Sequence, residues 1–278
     1  MTEVCGVAER SDGLGRRRQS YWVVLPAYNE ELSLPQLLNR IHEAMTEADL
    51  PYTIIIINDG SRDATAQVAR SFSDRLRLIV ENHPVNMGLG ATLRDGLLKA
   101  LASADAEDVV ITMDADNSHN PELMPRMGRM IREGNEVVIA SRYQSGSMVR
   151  GVPAYRRALS LAASALFRCL FHMRGVKDYT CGFRAYRAGT LQSALNRHGA
   201  GMFDQEGFQC IADLLLKLRS PDLAVIEVPM VLRYDLKKGA SKMNVMRTVR
   251  ATLALVAKRR LTFGHRSFAS HHGCSDTK

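Results

Sequence analysis

Asp114 and Asp116 close the run Val109-Val-Ile-Thr-Met-Asp-Ala-Asp116, with one alanine between them. In an extended backbone alternate side chains face the same side. Both carboxylates can therefore converge at the carboxyl end of a strand, where open α/β sheets place ligands. Two close carboxylates with open positions around them suit a hard divalent cation bound to a phosphate. Asp-Ala-Asp by itself can equally cap an ordinary loop or helix. Three more polar loops lie upstream, each following an apolar run: Pro26-Ala-Tyr-Asn-Glu30, Asn58-Asp-Gly-Ser61 and Asn86-Met-Gly-Leu-Gly90. Singly they are weak signals, since Asn-Asp-Gly-Ser is a good turn and Gly-x-Gly a minimal phosphate pattern. Their order carries the information, because loops after successive parallel strands gather along one sheet edge.

The elements that must position these loops follow from periodicity. Strands are expected over 21–25 (broken by Pro26), 52–57, 76–80, 109–113 and 137–140, and helices over 30–48, 65–72, from Asn86 to about 101, and 121–132. Near-continuous apolar strands alternating with helices indicate an α/β fold, a mostly parallel sheet flanked by helices. Past residue 150 the pattern becomes more helical. There Arg157, Ser160, Ser164, Arg168 and His172 fall on one stripe, and Leu159, Ala163, Leu166, Leu170 and Met173 on another. Such a basic amphipathic helix either packs on the core with a solvated face or rests in a membrane interface. A similar basic pattern runs over 243–260. The expected organisation is a disordered basic lead-in at 1–20, one catalytic domain at 21–235, a basic amphipathic region at 236–263 and a disordered tail at 264–278.

Composition bounds the class. The chain has 278 residues, 46% of them hydrophobic, which suffices for a substantial core. Its net charge of +8 suits anionic partners such as nucleotides, phospholipid surfaces or nucleic acid. Five scattered cysteines without a CxxC pair argue for reduced thiols and a cytoplasmic setting. No amino-terminal segment resembles a signal peptide, and no apolar stretch approaches the ~20 residues that span a bilayer. The basic stretches lack interleaved aromatics, which disfavours nucleic acid. The glycine pattern lacks the full Gly-x-Gly-x-x-Gly, which disfavours a dinucleotide site.

Eight blocks occur in a fixed order. They are Val24-Leu-Pro-Ala-Tyr-Asn-Glu-Glu31, Ile57-Asn-Asp-Gly-Ser-Arg-Asp-Ala-Thr65, Asn86-Met-Gly-Leu-Gly-Ala91, Met113-Asp-Ala-Asp-Asn-Ser-His-Asn-Pro-Glu122, Ala140-Ser-Arg-Tyr143, Val176-Lys-Asp-Tyr-Thr-Cys-Gly-Phe-Arg-Ala-Tyr-Arg187, Glu227-Val-Pro229 and Gly239-Ala-Ser-Lys242. Across roughly residues 21–245 this order resembles the family-two inverting glycosyltransferases of GT-A fold. Within them it is similar to dolichyl-phosphate mannose synthases and bacterial polyprenyl-phosphate sugar synthases.

The resemblance implies a role for each matching residue. Pro26, Tyr28 and Glu30 would line the base and ribose of a GDP- or UDP-sugar, Asp59 would accept hydrogen bonds from them, and Gly88 would lie at the phosphates. Asp114 and Asp116 would hold Mg²⁺ or Mn²⁺ against the diphosphate. Ser118, where relatives often carry glutamine, would ligate the metal directly or through water; His119 reads as a surface or packing residue. Arg142, Asp178, Thr180, Arg184, Ser241 and Lys242 would form the acceptor side, with Arg142 and Lys242 gripping phosphate. Cys181 replaces a usual serine and reads as structural. Leu236 stands where relatives carry arginine, so Arg233, Lys237 or Lys238 would substitute.

A polyprenyl phosphate acceptor is already anionic and needs no base, whereas a hydroxyl acceptor would, and Glu206 is the candidate. The reading is a metal-dependent inverting transfer to polyprenyl monophosphate, on a protein peripheral to the cytoplasmic membrane face. Transfer to a soluble hydroxyl is the alternative.

Overall fold

The computed structural model describes residues 18–238 and 245–269, with 245 and 261–269 as backbone only. Residues 1–17 of the lead-in expected at 1–20, residues 270–278 of the tail expected at 264–278, and the Gly239–Lys242 block lie outside the described residues.

Four strands and three helices alternate through the first half: β1 (Tyr21–Ala27), α1 (Leu34–Glu47), β2 (Tyr52–Asn58), α2 (Thr65–Ser71), β3 (Leu78–Asn82), α3 (Leu89–Leu101) and β4 (Val109–Thr112). A 3₁₀ turn at Pro121–Leu123 leads into α4 (Met124–Arg132), then β5 (Val137–Ser141), β6 (Met148–Arg150) and α5 (Ala154–Phe171). The second half continues with β7 (Arg184–Arg187), α6 (Ala188–His198), α7 (Cys210–Leu218), β8 (Val225–Pro229), β9 (Val231–Arg233) and α8 (Val245–Ala269).

Seven strands form one sheet in the order β3-β2-β1-β4-β7-β5-β8. All neighbours run parallel except β7, which is antiparallel to both β4 and β5. The sheet is therefore α/β and mostly parallel, as the alternating pattern predicted. β6 and β9 pair separately.

The hydrophobic runs explain why the central strands form. Ile54 to Ile57 on β2 are fully buried, each contributing roughly 1.5–3 kcal/mol of burial free energy. Helices cover both faces. Gly96 of α3 lies against Val24, while Gly128 of α4 lies against the Tyr21 ring. Residues 21 and 24 have opposite parity on β1, so these helices sit on opposite sides.

Pro26 lies inside β1, which runs to Ala27, two residues beyond the expected end at Leu25. Val24 accepts from Met113 on the β4 side and Ala27 from Asp59 on the β2 side. By alternation Pro26 faces β4, which has already ended at Thr112, so its missing N–H disturbs no ladder.

α5 is turned relative to the expected stripes. Ser164, Phe167 and Phe171 are buried, whereas Leu159 and Leu161 are exposed. Phe167 stacks on Tyr179 at 5.6 Å between centroids, and the core claims the phenylalanines; the serines on the same face follow them inward. The described part of α8 continues to Ala269, beyond the expected start of the tail at 264.

α8 is tied to the domain by buried charge. Arg259 reaches Asp213 on α7 at 2.6 and 3.0 Å. Lys217, buried on the same helix, bonds Asp213 at 2.6 Å and Asp204 at 2.5 Å. Removing one partner of such a group strands a buried charge. Asp213→Ala is expected to cost about 3 kcal/mol, read as a lower urea midpoint at unchanged slope.

Candidate active site

β4 lies beside β1 although two strands and three helices separate them in sequence. The chain adds β2 and β3 on one side of β1 and then returns to add β4 on the other. The crevice at such a reversal is where open α/β sheets bind ligands. The loop after β1 and the loop after β4 meet there.

The first loop turns at Asn29, whose φ is 52°. Its side chain accepts from Arg62 N at 2.8 Å and its N–H donates to Ser61, joining it to the second loop. Glu30 N donates to Thr65 Oγ1 at 2.7 Å. Asp59 in the second loop is buried, and its oxygens accept from Met87 N and Gly88 N at 2.8 and 2.9 Å. His83 Nδ1 lies 2.8 Å from Asp59, and its Nε2 lies 3.1 Å from Asp95.

Asp59 thus organises the third loop. The Gly88 N–H, expected at the phosphates, donates instead to Asp59. A lone histidine between a strand and a glycine loop carries no sequence pattern, so only the fold singles out His83. The glycines serve close approach: Gly88 has φ 88° and caps α3, and a Cβ on Gly90 would lie 1.8 Å from Gln205 O.

At the end of β4, Asp116 is buried and Asp114 half-buried. Ser118 donates to Asp116 Oδ1 through its N–H at 3.0 Å and its hydroxyl at 2.6 Å. Arg40 of α1 holds Asn117 and Asn120 on either side at 3.0 and 2.6 Å. Lys237 Nζ donates to Asp116 Oδ2 at 2.6 Å. Burial opposes ionisation of Asp116, but Lys237 beside it holds its carboxyl below the usual range. Asp114 lines a small cavity with Pro26, Leu89, Leu93, Met113 and Ile211, and burial pushes its carboxyl up. His119 is buried and stacks on Phe183 at 5.3 Å, as a packing residue would.

The donor set fits a hard divalent cation. Two carboxylates offer oxygen ligands only, the preference of Mg²⁺ and Mn²⁺, and an ammonium already stands as a cation against Asp116. Among the described residues no group of three His, Cys, Asp or Glu side chains could hold a metal. Diphosphate oxygens and water would complete the sphere. Ser118, expected as a metal ligand, gives both its N–H and its hydroxyl to Asp116 Oδ1.

Arg142, at the end of β5, is clamped by the fully buried Asp178. Its Nε and Nη2 reach the two carboxylate oxygens at 2.8 and 2.6 Å, and Nη2 also donates to Thr180 at 2.6 Å. Burial disfavours the Asp178 charge, but Arg142 more than offsets this and lowers its pKa. Arg184, expected on the acceptor side, offers no exposed guanidinium for a phosphate. It is fully buried and donates to the carbonyls of Ile211 and Tyr179 at 2.7 and 2.8 Å. Arginine stands there as a core tie, which its sequence context does not distinguish from a phosphate ligand. Burial pushes the Cys181 thiol up to about 12, consistent with an inert structural residue.

Glu206 is exposed, and its carbonyl accepts from Gly90 N at 2.7 Å. Asp204 is committed to Lys217, Lys258 and Arg259. Ser241 and Lys242 lie outside the described residues.

The profile of "Glycosyl transferase family 2" matches residues 22–195, more than half of the chain. The chain belongs to glycosyltransferase family 2. It is 32% identical over 244 residues to a polyprenol monophosphomannose synthase of Mycolicibacterium smegmatis, covering 85% of this chain and 88% of that protein. An undecaprenyl-phosphate mannosyltransferase of Micrococcus luteus is 30% identical over 80% of this chain and 86% of its own length. A dolichol-phosphate mannosyltransferase of Pyrococcus furiosus is 31% identical over 80% of this chain, which spans 58% of that protein. Among solved structures, glucosyl-3-phosphoglycerate synthase from Mycobacterium tuberculosis, in complex with Mn²⁺, UDP and phosphoglyceric acid, superposes with a TM-score of 0.60. That match is 21% identical and covers 87% of this chain and 78% of that one. The fold of this family-2 enzyme is accordingly GT-A.

The Asp178–Arg142 clamp yields a prediction. Because the folded pKa of Asp178 is depressed, its contribution is present above the unfolded carboxylate pKa near 4 and lost as pH falls through the folded value. Asp178→Asn should cost about 3 kcal/mol at pH 7. Urea midpoints at pH 7, 5 and 3 should show the difference from wild type shrinking at the lowest pH.

Proposed function

We propose that this glycosyltransferase moves a sugar from a GDP- or UDP-sugar to a polyprenyl monophosphate, with inversion, at the cytoplasmic face of a membrane. The observation that supports the acceptor is an arginine held by a buried carboxylate beside an exposed apolar helix. Arg142 keeps Nη1 without a hydrogen bond among the described residues, while Thr180, which it bonds, lies 3.4 Å from Ser160 of α5. Tyr143, next to Arg142, bonds the same serine at 3.0 Å.

From there α5 turns an apolar surface outward. Tyr155, Leu159 and Leu161 are exposed to 57%, 40% and 55%. On α8, which packs against α5, Met246 and Leu253 are exposed to 70% and 55%. Exposed Arg157, Arg168, Arg247 and Arg250 flank these residues. An acceptor with an anionic head and an apolar tail matches a cation at the edge of such a face. No described helix is long and apolar enough to cross a membrane, which leaves a peripheral arrangement. The named activities of the relatives agree.

In this reading Pro26, Tyr28 and Glu30 bound the nucleotide, and Asp59 with His83 shapes the loop beneath it. Asp114 and Asp116 would hold the divalent metal, with Ser118 fixing the Asp116 rotamer. Bound there, the metal supplies charge neutralisation for the departing diphosphate. Arg142, oriented by Asp178 and Thr180, binds the acceptor phosphate. Ser241 and Lys242 are assigned to the same phosphate from sequence resemblance. The phosphate oxygen is already anionic, so it attacks the anomeric carbon opposite the leaving group without a general base. Asp204, with its three cationic partners, is poorly suited to be one.

Purified protein with Mn²⁺ or Mg²⁺ and a donor panel (GDP-mannose, UDP-glucose, UDP-N-acetylglucosamine) should transfer sugar to polyprenyl phosphate. Asp116→Ala should lower turnover on the order of a thousandfold, and Glu206→Gln should leave it within about threefold. Turnover of a hydroxyl compound with none of the lipid phosphate, lost in Glu206→Gln, would overturn the acceptor assignment. Flotation with anionic vesicles tests the membrane face: Leu159→Glu with Leu161→Glu should weaken binding at least about tenfold.

A further inference from the structure

Lys237 is the one lysine or arginine that a described contact places on the carboxylate pair. Its ammonium bonds Asp116 Oδ2 at 2.6 Å, and the charges of Glu30 and Asp114 add to the attraction. Ser118 already takes Oδ1 of the same carboxylate, so Oδ2 is the oxygen left for a cation. The backbone that delivers Lys237 is held to the site. Arg233 N donates to Ser118 O at 2.8 Å, and the 3₁₀ turn Tyr234–Leu236 follows at once. Arg156 bonds the Tyr234 hydroxyl at 3.0 Å, and Lys237 Nζ lies 5.6 Å from the centroid of that ring. The four-carbon stem of the lysine allows its ammonium to swing while Arg233 and Tyr234 stay tied to the site.

We propose that Lys237 is the built-in counter-cation of the Asp114–Asp116 pair, and that a divalent metal enters by exchanging with it. The inference rests on the reading that this pair holds the metal. A divalent ion ligated by Asp116 needs oxygens at about 2.0–2.2 Å. An ammonium on the same carboxylate oxygen would face it across roughly 3 Å, where like charges repel strongly away from bulk water. The two cations therefore occupy the carboxylate in turn. The displaced ammonium remains on a fixed backbone beside the crevice, where a diphosphate offers new anionic oxygens. Metal alone must break the Lys237–Asp116 bond without compensation; metal with a nucleoside diphosphate gives Lys237 another partner. Lys237 thus positions the site for joint binding of metal and nucleotide, and linkage makes the effect reciprocal.

Mn²⁺ binding to the full chain, followed by the free-ion EPR signal without nucleotide, tests this. Lys237→Met should bind Mn²⁺ at least about tenfold more tightly than wild type, the scale of one charge-assisted hydrogen bond. Lys237→Gln should do the same, and guards against a folding defect peculiar to methionine. Lys237→Arg, which keeps the charge, should stay near wild type. Adding GDP or UDP should raise Mn²⁺ affinity more in wild type than in Lys237→Met. Unchanged or weaker Mn²⁺ binding in both neutral variants overturns the exchange. Asp116→Ala separates the underlying reading: if it binds Mn²⁺ as wild type does, the metal assignment itself fails.

Discussion

The parallel pairing of β4 against β1 is the constraint from which the site follows. Tyr21 to Val24 register with Val109 to Thr112, and Val24 O accepts from Met113 N just past the ladder. This pairing brings the loop after β1 and the Asp114–Asp116 turn to the same crevice. It also sets the reversal of strand order that leaves the crevice open. Because both strands are buried on both faces, a slip of one residue would turn apolar side chains against the opposite helix layer. The core thereby fixes the register that aims the carboxylates.

Around that crevice, buried charges act as fasteners. Asp59 binds two backbone amides and His83, setting the third loop. Asp178 binds Arg142, Thr180 N and Cys181 N, so the guanidinium is held in one orientation. Asp204, Asp213, Lys217 and Arg259 fasten α8 to α7. Such groups contribute little net stability relative to an apolar core of the same shape. What they contribute is position, which transfer chemistry needs, since reacting groups must be aligned to a fraction of an ångström.

The surface divides accordingly. One side of the sheet edge offers oxygen ligands and backbone turns suited to a nucleotide and its metal. The other offers Arg142 and an apolar, arginine-flanked face on α5 and α8. In the proposed reaction a wholly hydrophilic donor and a half-lipid acceptor meet at this boundary.

Much of this was legible in the chain. The apolar runs of β1, β2 and β4 and the helical spacing of α1 are local patterns, dictated by alternation and by burial, and the four polar loops lie at their ends. The carboxylate pair was visible because it directly follows an apolar run, although β4 ends at Thr112 and the pair lies in the turn beyond it rather than on the strand. What depended on distant partners was not visible. The inward turn of Ser164, the burial of Arg184 and the use of Gly88 N–H by Asp59 each follow from residues far along the chain. Sequence alone could not rank Arg184 below Arg142, since each is an arginine in a block of the same resemblance; only packing shows one sealed against carbonyls and the other left partly exposed. Lys237 is the same case, 121 residues from Asp116. The sequence by itself determined which elements form and which chemistry their ends could hold, because those depend on neighbours within a turn or a strand. The tertiary structure decided which charges meet, because an ion pair depends on distance in space and on burial.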